Sequence, residues 1–405
     1  MQENLPQNHP SSTVAAITDA IDQLRPVLAP RLKQLKVSGT TVQVRNLIGS
    51  VPLNDGSILD IEPKVETDVS WAEAVVQLIT ETSRIAVTGS QRSSLSPSKT
   101  DLSSALAIEY ARRLEKALAQ EGPLQVYEHH QLTSRRPNGH LNIGKWVRTA
   151  LLNPAMFPIE RDDLTVANDF TRGLSIVAGY LRRSASSQSL RARLRRLETL
   201  VAPGIALPSY VNPAVAQRHL PAQWAKYKPA WDIAAAVLRN RSIVGDPGRS
   251  VGLEVAIEPW PLLETLLERT LAAATQIPGS GLQVEPKAHH TLLKVGKRVA
   301  TNVIPDGILR RNGTVVATFE AKYTRLGETP SENHVYQALS AAAALRSPLS
   351  VIVYPSAEPA KRYDVAGFSG TPTSLVTIGL DIYKYKRGLG DQQRAQQITE
   401  LLVSR

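Results

Sequence analysis

"NVIPDGILRRNGTVVATFEAKYTR", residues 302–325, decides how this chain reads. Two short apolar runs flank Asn312-Gly313, a pair that favours a tight hairpin because both residues tolerate positive φ. Asp306 opens the first run, and Glu320-Ala321-Lys322 closes the second. A hairpin sets the start of its first strand beside the end of its second. Two carboxylates and a lysine therefore fall at one end. Residues two apart on a strand share a face, so Glu320 and Lys322 project together. Ala321, between them, offers its backbone carbonyl to the same neighbourhood. Carboxylate and carbonyl oxygens are hard ligands that suit Mg²⁺ or Mn²⁺ rather than zinc. A lysine beside them can orient a water or stabilise developing negative charge. Metal-dependent hydrolysis of a phosphodiester needs this set of groups.

The register decides whether Asp306 joins them. A two-residue Asn-Gly turn would pair Asp306 with Phe319, which faces away from Glu320. A shared site needs a three-residue loop, Arg311-Asn312-Gly313, closed by a G1 bulge, or else a bulge elsewhere.

Composition bounds the alternatives. At 405 residues the chain has room for two or three domains. There are 47 Lys+Arg against 36 Asp+Glu, a net charge of +11, which favours a polyanionic partner such as nucleic acid. The chain has no cysteine, which excludes disulfides, thiolate zinc sites and cysteine nucleophiles. The opening "MQENLPQNHPSST" lacks the basic start and apolar core of a signal peptide. No apolar run approaches the ~18 residues of a membrane helix. The expected location is cytoplasmic, with no membrane contact.

The chain divides by pattern into three regions: 1–100, β-containing and expected to bind a partner; 101–245, mostly helical; and 251–405, α/β. In the first, a helix over residues 13–35 is limited by Pro26 and Pro30. Two apolar runs then flank Asn54-Asp55-Gly56 as a hairpin, and a helix starts at Trp71. Residues 89–101 read as a Ser-rich loop, with Asp101 capping the next helix. In the middle, residues 172–200 hold seven arginines and one glutamate, either a solvated helix face or a surface for phosphates or a partner. "GHLNIGKW", residues 139–146, has the glycine and lysine spacing of a phosphate loop but Trp146 where Ser or Thr must reach Mg²⁺, so nucleotide binding is not expected there. The pairs His129-His130 and His289-His290 place neighbours on opposite strand faces, which makes neither a natural metal site. From Val251 the order helix, strand, strand, strand, helix, strand predicts a central mixed sheet flanked by helices.

Pro305-Asp306, followed by Glu320-x-Lys322, resembles the signature of the PD-(D/E)xK nuclease superfamily. That resemblance implies the corresponding C-terminal nuclease fold. It also adds Glu264, on the helix before the sheet, as a carboxylate that supports the metal. Gln337, on the helix after it, matches half of a Gln-x-x-x-Tyr pattern whose tyrosine position is Ala341 here. More specifically, "EPWPLLETLLERTL", "IPDGIL", "FEAKYTR", "VYQALSAA" and "VIVYP" follow in the order of the McrC family, the nuclease subunits of McrBC-type modification-dependent restriction systems. "NLIGSVPLNDGSILDIEPKV" resembles that family's early segment, while the middle matches poorly.

The resemblance implies a Mg²⁺- or Mn²⁺-dependent endonuclease subunit of a restriction or phage-defence complex, acting on double-stranded DNA. Asp306, Glu320, the Ala321 carbonyl and Glu264 would hold the metal, with Lys322 and Gln337 completing the catalytic set. An AAA+ GTPase ring would supply translocation and target recognition. The alternatives are a stand-alone repair or recombination nuclease, and a non-catalytic adaptor that stimulates an AAA+ partner.

Overall fold

The computed structural model describes residues 1–24, 34–55, 57–65, 71–81, 88–92, 102–185, 187–206, 210–241, 252–366, 374–385 and 389–403. Pro26, Pro30, Gly56, Asp101 and most of the expected Ser-rich loop lie outside them. Contacts divide the chain into two units rather than three consecutive regions. One comprises Met1–Thr88, Ser96–Ala105 and Glu254–Arg405; the other comprises Gly89–Leu95 and Leu106–Leu253.

The first unit begins with β1 (Gln7–Asn8), α1 (Ser11–Leu24), β2 (Leu35–Ser38), β3 (Thr41–Val44), β4 (Ile48–Pro52), β5 (Ile58–Ile61) and α2 (Trp71–Glu81); β6 (Thr88–Arg92) follows and falls, but for Thr88, in the second unit. The expected hairpin is β4–β5, paired from Gly49↔Ile61 to Pro52↔Ile58. One face of α1, with Ile17, Ile21 and Leu24, packs with Val42, Val44, Val51 and Ile61 into a core.

The second unit contains most of α3 (Leu102–Glu121), then β7 (Val126–Ser134), β8 (His140–Leu141), α4 (Ile143–Thr149), β9 (Phe157–Thr165), α5 (Asp169–Ser184), α6 (Gln188–Leu200) and α7 (Lys228–Arg241). It is less purely helical than expected. β7 and β9 form a nine-pair hairpin from Val126↔Thr165 to Ser134↔Phe157. Only Pro158 and Ile159 of the two strands are buried, and neither "VYEHHQLTS" nor "FPIERDDLT" shows the apolar alternation that reveals a half-buried strand. Three arginines of the arginine-rich stretch pair within the unit: Arg172 with Asp169, Arg182 with Glu198, and Arg193 with Glu115. Arg195 and Arg196 are exposed.

The first unit resumes in β10 (Gly252–Ile257), α8 (Trp260–Thr275), β11 (Leu282–Glu285), β12 (His290–Val295), β13 (Arg298–Val303), β14 (Gly307–Arg311), β15 (Thr314–Ala321), α9 (Glu332–Leu345), β16 (Leu349–Tyr354), β17 (Lys361–Asp364), β18 (Ser374–Gly379) and α10 (Leu389–Val403). The end of β10 explains why the outer regions of the sequence form one unit. Ala256 and Ile257 pair with Gly49 and Ile48 of β4. A Cβ at Gly49 would lie 2.2 Å from the Val255 carbonyl oxygen, so glycine is what lets the strands meet.

A six-stranded mixed sheet, ordered β11-β14-β15-β16-β18-β17, carries the stretch at residues 302–325. All six residues of β16 are buried, as its unbroken apolar sequence "LSVIVY" requires between parallel neighbours β15 and β18. α8 buries Leu262, Leu263, Leu266, Leu267 and Leu271 and leaves Glu264 at the edge of that apolar face.

The hairpin does not use the three-residue loop. Arg311 pairs with Thr314 around Asn312 and Gly313, whose φ values are 50° and 77°. That is the two-residue turn with both residues left-handed. The correction comes from a bulge. Arg310 pairs with Val315 but Leu309 with Ala317, so Val316 is the extra residue. Gly307 then pairs with Phe319, and one step further Asp306 stands opposite Glu320.

Residues near the start of the chain reach this sheet. Glu3 is fully buried. Its Oε1 accepts the Asn46 amide at 2.9 Å, and its Oε2 accepts the Tyr323 hydroxyl at 2.9 Å. The Lys64 ammonium lies 3.7 Å from Glu3 Oε1 and 4.2 Å from the centre of the Tyr323 ring. Glu3→Ala would leave the Lys64 ammonium buried without a counter-ion. The expected cost is about 3–5 kcal/mol in urea denaturation, with much of it recovered by adding Lys64→Met. A single variant as stable as the parent would show that the pair does not hold the unit together.

Candidate active site

The bulged hairpin, the start of α8 and the segment after β11 converge on one cluster. Asp306 is fixed from both sides. Its amide donates to the Phe319 carbonyl at 3.0 Å, and its Oδ2 accepts the Ala321 amide at 2.8 Å. Across the pair, Lys322 Nζ donates to Glu320 Oε1 at 2.7 Å, the same-face contact that spacing of two on a strand gives. The Asp306, Glu320 and Lys322 side chains are each less than one-fifth exposed. Water screens such charges poorly.

Lys287 was not foreseen. It follows β11, and its ammonium bridges Glu264 Oε2 at 2.6 Å and Asp306 Oδ1 at 2.9 Å. Burial works against its charge, but the hydrogen bonds and charges of Glu264 and Asp306 together outweigh that and raise its pKa above the usual lysine value. No sequence spacing ties Lys287 to Asp306; only the antiparallel pairing of β11 with β14 brings the segment alongside. Glu264 thus reaches the cluster through Lys287.

Burial pushes the Glu320 carboxyl above the ordinary carboxylate range, and the Asp306 charge adds to this, with Lys322 opposing. Glu320 and Gln337 line one open cavity of about 360 Å³, together with Asn302, Val303, Ile304 and Tyr336. Ala341, at the position of the missing tyrosine, lines it too.

The donor chemistry fits a hard divalent cation. Two carboxylates share one sheet face, and one resists ionisation partly because of the other. Among the described residues no three acidic or histidine side chains are gathered as a ready cage. For Glu264 to join Asp306 around a cation, Lys287 must release them. The histidine pairs supply no alternative: His129 faces Asp162, and His290 faces Glu285.

The sheet and its cluster define an α/β protein with acidic and basic groups at the bulged end of a central hairpin. The model of the family described as "McrBC 5-methylcytosine restriction system component" matches residues 42–355, and the chain belongs to that family. Among solved structures, it is similar to a chain in the half-complex from the tetradecameric assembly of Thermococcus gammatolerans McrB AAA+ hexamers with bound McrC. The TM-score is 0.67 at 14% identity, covering 99% of each chain. A chain of the cryo-EM structure of the Thermococcus gammatolerans McrBC complex aligns with a TM-score of 0.45 at 14% identity, over 68% of this chain and 87% of that one. No curated protein matches significantly. Among the described residues, no helix is long and apolar enough to cross a membrane.

Proposed function

We propose that this chain is the nuclease subunit of a McrBC-type restriction assembly. It is an endodeoxyribonuclease of the PD-(D/E)xK type that acts on double-stranded DNA with Mg²⁺ or Mn²⁺. The Val316 bulge carries this reading, because it sets Asp306 opposite Glu320 where the turn alone would not. Asp306, Glu320 and the Ala321 carbonyl would hold the cation, with Glu264 in support. When bound, the cation polarises the scissile phosphate and lowers the pKa of a bound water. Lys322, hydrogen-bonded to Glu320, is positioned to orient the attacking water or to stabilise charge on the phosphate. Gln337 reaches the same cavity from α9.

The partner in this reading is an AAA+ GTPase ring. The neighbouring fold was solved with McrB AAA+ hexamers. The phosphate-loop look-alike carries Trp146 where Ser or Thr must reach Mg²⁺, so nucleotide hydrolysis is assigned to the partner in this reading. Ile143 and Val147 of α4, with Leu151 and Leu152 beyond it, are exposed. They are a second candidate surface for partner contact, beside the one expected in residues 1–100.

The test is a cleavage assay on modified duplex DNA, with and without an AAA+ partner, GTP and Mg²⁺. Cleavage only in the complete mixture supports the reading. Cleavage by this chain alone would favour a stand-alone nuclease. A separate expectation concerns Lys287. Its ammonium competes for Glu264 and Asp306, so Lys287→Met should tighten Mn²⁺ binding roughly tenfold by calorimetry, about 1.4 kcal/mol. Weaker binding would mean that Lys287 supports the cation instead.

A further inference from the structure

Between Glu285 and Asp306 the chain has no acidic residue, yet it carries Lys287, Lys294, Lys297 and Arg298. This run folds into the two-stranded ribbon β12–β13, turning at Gly296-Lys297 between Val295 and Arg298. The root of the ribbon belongs to the site: Leu292, Asn302 and Val303 line the cavity that holds Glu320 and Gln337. The outer half is bare. Lys294, Lys297 and Arg298 are exposed, as are Leu293 and Val295, which is 74% exposed.

The charges divide along the ribbon. At its foot Lys287 is held by Glu264 and Asp306. Among the described residues, the side chains of Lys294, Lys297 and Arg298 make no hydrogen bond or ion pair. Six residues per strand make an arm about 20 Å long at ~3.3 Å per residue. A lone two-stranded ribbon is marginal in water, and exposed apolar side chains add no stability. Unpaired cations at the tip of such an arm, joined at its root to a site for phosphodiester chemistry, suit a polyanion. A two-stranded ribbon also has dimensions that a duplex groove admits.

We propose that β12–β13 is a DNA-gripping arm whose Lys294, Lys297 and Arg298 contact backbone phosphates of the duplex lying across the cavity. This rests on the reading that the substrate is double-stranded DNA. It adds the element that holds the duplex and assigns it positioning rather than base recognition.

The experiment measures binding of a fluorescein-labelled duplex to the full chain by anisotropy, in EDTA so that nothing is cut, across a salt series. The triple variant Lys294→Ala, Lys297→Ala, Arg298→Ala should bind about tenfold or more weaker near physiological salt, and its log–log salt slope should shrink by up to about 2.7, or 0.9 for each lost phosphate contact. A control triple, Lys36→Ala, Lys116→Ala, Lys226→Ala, removes the same charge from other exposed positions and should stay within about twofold of the parent. Matching melting curves show that the ribbon triple is folded; if it is not, Lys297→Glu alone, at the turn, is expected to weaken binding in the same direction. Equal losses in both triples, or parental binding by the ribbon triple, would overturn the arm and leave the nuclease reading standing. Parental DNA binding with loss of binding to an AAA+ ring would overturn it in favour of a protein contact. A parent that binds no duplex at any salt would overturn the DNA reading itself, and the arm with it.

Discussion

Glu320→Gln is expected to lower DNA cleavage by about 10²–10³-fold or more, while the metal-free protein becomes more stable at neutral pH. The two effects share one cause. Glu320 is held in a half-buried place facing Asp306, and its pKa is raised. The folded chain therefore keeps the Glu320 proton to higher pH than the unfolded chain. Ionising it costs stability, a cost fully present above the folded pKa and relieved as pH falls through it. Glutamine keeps an oxygen for Lys322 but removes the charge. In EDTA the melting temperature of the variant should exceed the parent's at neutral and alkaline pH, and the gain should fade as pH falls through the raised pKa and be gone below the ordinary carboxylate range. Asp306→Asn and Lys322→Met should be as inactive as Glu320→Gln. All three are expected to bind an AAA+ partner ring as tightly as the parent, because they alter only the cluster at the end of the hairpin. Undiminished cleavage by any one of them removes that residue from the proposed chemistry. A stability gain that grows toward acid pH would contradict the account of Glu320.

Much of this site was legible because it rests on short-range rules. Alternation on a strand put Glu320 beside Lys322, and the salt bridge between them is the result. The buried strand β16 announced itself as an unbroken apolar run. Sequence patterns failed where contacts are long-range or where both faces of an element meet water. Lys287 joins Asp306 only through the pairing of β11 with β14. The join between the start of the chain and its C-terminal sheet depends on β10 meeting β4 and on Glu3 reaching Tyr323, 320 positions away. No local periodicity encodes either. The β7–β9 hairpin has few buried residues to reveal it. The turn left two solutions open. Asn312-Gly313 alone reads as a two-residue turn, and aligning Asp306 then requires either a longer loop or a bulge elsewhere. A bulge at Val316 satisfied both requirements.

That bulge supports the second large expectation: deleting Val316 should abolish cleavage and also destabilise the fold, unlike Glu320→Gln. With the turn fixed at Asn312-Gly313, removing the extra residue lets the pairing run on unshifted, and Asp306 moves opposite Phe319. A one-residue slip exchanges the two faces of a strand. Either Asp306 turns away from Glu320, or β15 rotates and draws Phe319 and Ala317 out of the core while Glu320 turns inward. Phe319 is 2% exposed and Ala317 is 0% exposed in the parent. Loss of the Phe319 contacts alone should cost about 3–5 kcal/mol in urea denaturation. Val316→Ala separates the count of residues from the side chain. It keeps the bulge, and Val316 is only half-buried, so roughly 1 kcal/mol should be lost and cleavage should stay within a few-fold of the parent. If the deletion cleaves like the parent, the register is not what assembles the site. If Val316→Ala is as inactive as the deletion, the side chain of Val316, and not its place in the count, is what the site needs.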